Sequence, residues 1–289
     1  QGGLSFERYL TIHINNGGDV PENLRLTSGN PVTAEMRPEF TWNPIVGSAS
    51  YELWVRNNGL GLNGVFRKTV IGTTYRPNVD LGIGRYSIWI RSVAQDGIRS
   101  AWSSQYQFQI TAPVQMGVVT RLHSSMRPTI HWNPLAGASR YVLWLENRTT
   151  GESPYRRDLA VTSPTWTPDA DLPMGVYRVW VRGADPRGNL GEFSRPVDFV
   201  VLPETIPQSP LSSTFERRPT FSWSAVAGAV GYDLILRDVR SGAVLQNPVN
   251  ITDTTWTPPE DLANGEYRWY VNAVSADGYR SQNAVPVNF

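Results

Sequence analysis

The chain has no cysteine. Disulfides, thiol catalysis and cysteine-ligated zinc are therefore excluded together. Lysine is nearly absent: among 26 basic residues Lys68 stands alone, and the rest are arginine. An isopeptide cross-link needs one lysine per domain, so at most one could form. Charged residues make up 18% of the chain and the net charge is +1. That leaves no electrostatic basis for binding nucleic acid or an anionic membrane. No apolar run approaches the roughly 18 residues of a membrane span. Gln1-Gly2-Gly3 opens without a basic or apolar leader, so a mature secreted chain and an excised fragment would read alike.

Other residues are plentiful. Twenty-two Pro and 25 Gly beside 40% hydrophobic residues suit a turn-rich β protein. A length of 289 residues allows two or three domains. Internal repetition decides the number. Arg37-Pro38 with Trp42 recurs as Arg127-Pro128 with Trp132 and as Arg218-Pro219 with Trp223. Each is followed by a tyrosine (Tyr51, Tyr141, Tyr232), a proline (Pro77, Pro168, Pro258) and a second tyrosine (Tyr86, Tyr177, Tyr267). A turn glycine follows (Gly97, Gly188, Gly278), and each unit closes on Phe108, Phe199 or Phe289. The spacing divides the chain into an N-terminal strand with a Gly-rich break over 1–19 and three domains over 20–112, 113–202 and 203–289.

Within a unit the hydrophobic period is two. Tyr141, Leu143 and Leu145 alternate with Val142, Trp144 and Glu146, while Tyr177, Val179 and Val181 alternate with Arg178, Trp180 and Arg182. Such runs are strands. With turns at Pro134–Gly137, Thr149–Gly151 and Asp185–Gly188, they describe a two-sheet sandwich of about 90 residues. Trp132-Asn-Pro134 with Tyr141-Val-Leu-Trp144, and Leu172-Pro-Met-Gly175-Val-Tyr177 with its following strand, resemble the B, C and E–F segments of fibronectin type III-like domains. The resemblance implies an all-β chain: three tandem fibronectin type III-like β-sandwiches forming an elongated rod, with an extra N-terminal strand. It also implies that Tyr86, Tyr177 and Tyr267 bond back across the E–F corner. Bacterial surface or extracellular proteins are the expected setting.

Trp42, Trp132 and Trp223 recur at the core position. Trp54, Trp89, Trp144 and Trp180 lie out of phase with the inward residues, so they are expected on an outer face among arginines. There they form either a structural aromatic–arginine ladder or a ligand platform. The third repeat has Ile235 and Trp269-Tyr270 instead.

Catalytic and cofactor signals are missing from the sequence. His13, His123 and His131 are not spaced as metal ligands, and neither nucleophile elbow nor phosphate loop occurs. Enzyme activity, cofactors and metal are not expected. Acidic residues at Asp80, at Asp169 and Asp171, and at Glu260 and Asp261 read as solvated loops rather than a calcium site. Asn147-Arg-Thr149 and Asn250-Ile-Thr252 match the glycosylation acceptor pattern.

The ends are irregular. Leu4, Phe6, Leu10, Ile12 and Ile14 share one parity over residues 4–14, a strand pattern ahead of the first repeat. The third repeat stops at Phe289, whereas its predecessors continue to Ile110 and Val201. Three readings compete: the head strand folds onto its own first domain, the chain is a slice of a longer array cut near a domain border, or the head strand adds to a neighbour's third domain beside Val285, Val287 and Phe289. The last gives a fibre subunit that polymerises head to tail, with itself as partner. An adhesive or glycan-binding module array, with a glycan or another surface protein as partner, or a spacer region of a larger secreted protein or enzyme, is the alternative.

Overall fold

The computed structural model describes residues 18–60 and 65–289. All regular structure among the described residues is β, and no helix there is long and apolar enough to cross a membrane. The first sandwich contains β1 (Arg25–Leu26), β2 (Val32–Thr33), β3 (Phe40–Thr41), β4 (Ser48–Asn57), β5 (Phe66–Val70), β6 (Thr74–Tyr75), β7 (Gly84–Ala94) and β8 (Tyr106–Ile110). A three-stranded sheet, β1-β3-β6, packs on a five-stranded one, β2-β8-β7-β4-β5. The second contains β9 (Leu122–His123), β10 (Ile130–His131), β11 (Arg140–Asn147), β12 (Glu152–Val161), β13 (Thr165–Trp166), β14 (Gly175–Ala184) and β15 (Val197–Val201), with sheets β10-β13 and β12-β11-β14-β15-β9. The third contains β16 (Pro207–Ser209), β17 (Phe221–Trp223), β18 (Ala229–Asp238), β19 (Val244–Gln246), β20 (Thr255–Trp256), β21 (Tyr267–Ser275) and β22 (Val287–Asn288), with sheets β16-β17-β20 and β19-β18-β21-β22.

Alternation sets the faces. In β4, Tyr51, Leu53 and Val55 are buried while Glu52, Trp54 and Arg56 stay partly exposed. Each buried aliphatic contributes about 1.5–3 kcal/mol. The core tryptophans Trp42, Trp132 and Trp223 are buried and meet Tyr51, Tyr141 and Tyr232 edge to face at 5.2–5.5 Å. The corner expected from the resemblance forms in all three sandwiches. The Tyr177 hydroxyl donates to Pro173 O at 2.8 Å, that of Tyr267 to Ala263 O at 2.5 Å, and that of Tyr86 to the carbonyls of Leu81 and Gly82. Each corner tyrosine also packs against its unit's closing phenylalanine: Tyr86 on Phe108, Tyr177 on Phe199 and Tyr267 on Phe289, at 5.1–5.5 Å. These are fibronectin type III-like sandwiches.

By contact the chain falls into two compact units. One is Gln1–Ala112 with Ala136–Ala138 and Ala184–Gly191; the other is the remainder of the chain. Within the second unit the second and third sandwiches share hydrophobic packing, because Met174, Val200 and Leu202 join the cluster of Phe221, Trp223 and Trp269. Pro203 and Thr205, between β15 and β16, are likewise buried.

The large sheets are extended at one edge in the first two sandwiches. In the first two, β2 and β9 run parallel to β8 and β15, pairing with residues one and two places past Phe108 and Phe199. Among the described residues nothing pairs with the outer side of β22.

Candidate functional site

Two places in the fold carry the sequence-based candidates. The first is the outer face of the large sheets. In the first sandwich Trp54 and Trp89 are cross-strand partners, and their rings stack at 4.8 Å with 27° between planes. Trp102 lies 6.2 Å from Trp54. Guanidinium groups cap every ring: Arg67 over Trp54 at 4.9 Å, Arg56 over Trp89 at 5.9 Å and Arg91 over Trp102 at 4.5 Å. Glu52 accepts two bonds from Arg91, at 2.8 and 2.5 Å, and one from Arg99 at 2.9 Å. Partial burial pushes the Glu52 carboxyl up, but the arginine hydrogen bonds outweigh it and hold the group below its ordinary value. This face is a filled ladder.

The second sandwich places Trp144 and Trp180 on the same face, but no stacked pair forms there. Trp144 meets Phe193 edge-on at 6.5 Å, and Arg157 sits 5.8 Å over it. A cavity of about 300 Å³ lies among Trp144, Ser153, Trp180 and Phe193. In the third sandwich Ile235 pairs with Tyr270, so the face has no tryptophan. Trp269 points inward and donates its Nε1 hydrogen to Pro210 O at 3.0 Å.

The second place is the free edge of β22. Of the proposed acceptor residues, Val287 and Phe289 already pack on the third core, and Val285 is 74% exposed. Phe289 exchanges backbone bonds of 3.0 Å with Tyr267 in both directions. A cavity of about 400 Å³ borders this edge, between Ser213–Arg217 and Tyr267 with Phe289, and Phe215 beside it is fully exposed. The proposed donor residues Leu4, Phe6, Leu10, Ile12 and Ile14 lie outside the described residues, as does His13.

The remaining motifs have structural partners. Asp80 pairs with Arg37 at 2.9 Å, Asp171 with Arg127 at 2.6 Å and Asp261 with Arg217 at 3.8 Å, so each E–F loop acid meets the arginine region that precedes the core tryptophan. This recurring bridge was hidden in the sequence reading, although both halves repeat with the 90-residue spacing. Asn147 is buried in the folded domain, and its side-chain oxygen accepts from Thr149 N and Thr150 N at 3.0 and 3.1 Å. Asn250 is exposed. His131 is exposed; His123 packs edge-on against Phe199 at 5.7 Å, and burial pulls its pKa down. Among the described residues no three His, Asp or Glu gather as a metal site.

No family model matches the chain, and no curated protein matches it by sequence. Solved structures do. A two fibronectin type III domain segment from chicken tenascin is 13% identical with a TM-score of 0.48, covering 61% of this chain and 98% of its own. The FN1-FN3 domains of chicken CNTN1 are 18% identical with a TM-score of 0.27, covering 94% and 99%.

Proposed function

We propose that this chain is a structural subunit of an extracellular fibre, assembled head to tail when residues 4–14 of one molecule add to the third sandwich of the next. The observation that carries the reading is that, among the described residues, no strand lies beside the outer side of β22, and a cavity of about 400 Å³ and the exposed Phe215 border that edge. An unpaired edge is a template for another chain's strand. The exposed Val285 and Phe215 offer apolar contacts to such a strand, the cavity beside Phe289 offers room for a side chain, and Leu4, Phe6, Leu10, Ile12 and Ile14 have the matching period of two. A head-to-tail contact of this kind does not close on itself.

Electron microscopy and sedimentation test it. The full chain forms filaments, and a variant lacking residues 4–14 stays monomeric and folded. Filaments from that variant would overturn strand addition.

A further inference from the structure

The outer faces of the first two sandwiches differ at three positions that the repeat places in register, and each difference opens the second face. Arg56, the cap over Trp89, is replaced by Glu146, whose carboxylate pairs instead with Arg148 at 3.4 Å. Trp180, the counterpart of Trp89, is therefore left half-exposed with no ring or cation over it among the described residues. Trp102 is replaced by the smaller Phe193, which leaves the cavity of about 300 Å³ beside Trp144 and Trp180. Glu52 is replaced by Val142, so the arginine equivalent to Arg91, Arg182, loses its acid. Arg182 lies 4.3 Å over Phe193, has no ion pair among the described residues, and keeps its Nε without a hydrogen-bond partner. Arg157, exposed at the other side of Trp144, is also without an ion pair among the described residues.

An open aromatic cavity with an uncompensated guanidinium stacked on one of its wall residues, Phe193, selects its ligand. The faces of Trp144 and Trp180 suit the C–H face of a pyranose ring, and the exposed Ser153 hydroxyl at the rim suits its hydroxyls. A partly desolvated arginine without an acid favours a carboxylate, with which it forms charge-assisted bonds. The cavity is at the small end of ligand sites, which start near about 300 Å³. Four lining residues fall far short of the roughly 800 Å² per partner of a stable protein interface. We propose that the outer face of the second sandwich binds an acidic pyranose residue of a uronate-containing glycan, its ring on Trp180 and Trp144 and its carboxylate at Arg182. This site stands independently of polymerisation.

The test titrates tri-galacturonate and a hyaluronan tetrasaccharide into the full chain, read by tryptophan fluorescence and calorimetry. At least one acidic oligosaccharide binds saturably. Where tri-galacturonate binds, its methyl ester, which keeps the ring and removes the charge, binds about tenfold more weakly or worse, as losing one charge-assisted pair requires. Arg182→Gln weakens binding of the acidic probe to a similar extent. Trp180→Ala abolishes it, while Trp54→Ala leaves it unchanged. Glu146→Arg restores the cap found in the first sandwich and also blocks the site, without removing any aromatic ring. Melting curves of each variant separate loss of the site from loss of the fold. Absence of binding to both probes, equal affinity for acid and ester, binding that survives Trp180→Ala in a folded protein, or equal capture of poly-glutamate would each overturn the assignment.

Discussion

Glu52 and Arg91 face each other across β4 and β7, joined by two hydrogen bonds of 2.8 and 2.5 Å to one carboxylate oxygen, while Arg99 holds the other oxygen. Both partners are mostly shielded from water, so this pair is worth more than an ordinary surface bridge. Glu52→Gln should lower the stability of the first sandwich by about 1 kcal/mol at neutral pH. Because the folded carboxyl sits below its ordinary value, the stabilisation is complete above the unfolded pKa of roughly 4.3 and disappears as pH falls through the lower folded value. Melting curves of the two proteins should therefore converge in acid. A gap that persists at low pH would show that Glu52 acts through packing instead.

Met174 joins the second sandwich to the third. Its backbone N–H donates to Ala227 O at 2.7 Å, and its side chain is 1% exposed within the third domain's cluster. Gly228, at φ 86°, leaves room for this: a Cβ there would lie 2.6 Å from the Met174 carbonyl oxygen. Met174→Ala should cost about 2–5 kcal/mol. Gly228→Ala should cost more than Gly242→Ala. Gly242 has a similar φ of 71° but open space around it, so it measures the backbone strain of about 1–2 kcal/mol alone. Calorimetry that finds the two glycine variants equal would remove the close approach as the cause.

The repeat landmarks were legible because they sit on single-strand periodicities. Trp42, Trp132 and Trp223 are buried where the spacing puts them, and the tyrosine corners close as the resemblance implies. The bond simply reaches the carbonyl four residues back, at Gly82, Pro173 and Ala263. What the sequence did not disclose depends on neighbours across strands. Trp54 and Trp144 both pair with an arginine, Arg67 and Arg157; their faces differ through Trp102 and Phe193, which come from a separate segment of each repeat. Met174 lies in the E–F segment, and its backbone partner Ala227 is more than fifty positions away in the next repeat.

The filled ladder and the open face should respond differently to truncation. Trp54 contacts Trp89, Trp102 and Arg67, so Trp54→Ala forfeits two ring contacts and a cation–π contact, about 1–3 kcal/mol. Trp180 has no such partners among the described residues, and Trp180→Ala should cost less than about 1 kcal/mol. Urea titrations of the two variants measure both. Equal losses would mean that Trp180 is packed as tightly as Trp54.

The corner tyrosines supply an alkaline limit. Burial pushes the Tyr86 hydroxyl up to about 12, and it raises Tyr177 and Tyr267 as well. An unfolded tyrosine ionises near pH ~10, so the folded state is the one that keeps its protons there. Stability is therefore full below pH ~10 and is lost as pH rises toward the folded value. Absorbance of phenolate at 295 nm should show a late-titrating class, and Tyr86→Phe should remove part of it. The same substitution frees the carbonyls of Leu81 and Gly82 from their hydroxyl partner and should cost about 1–2 kcal/mol at neutral pH. If all twelve tyrosines titrate together near pH ~10, the corners are not closed in solution.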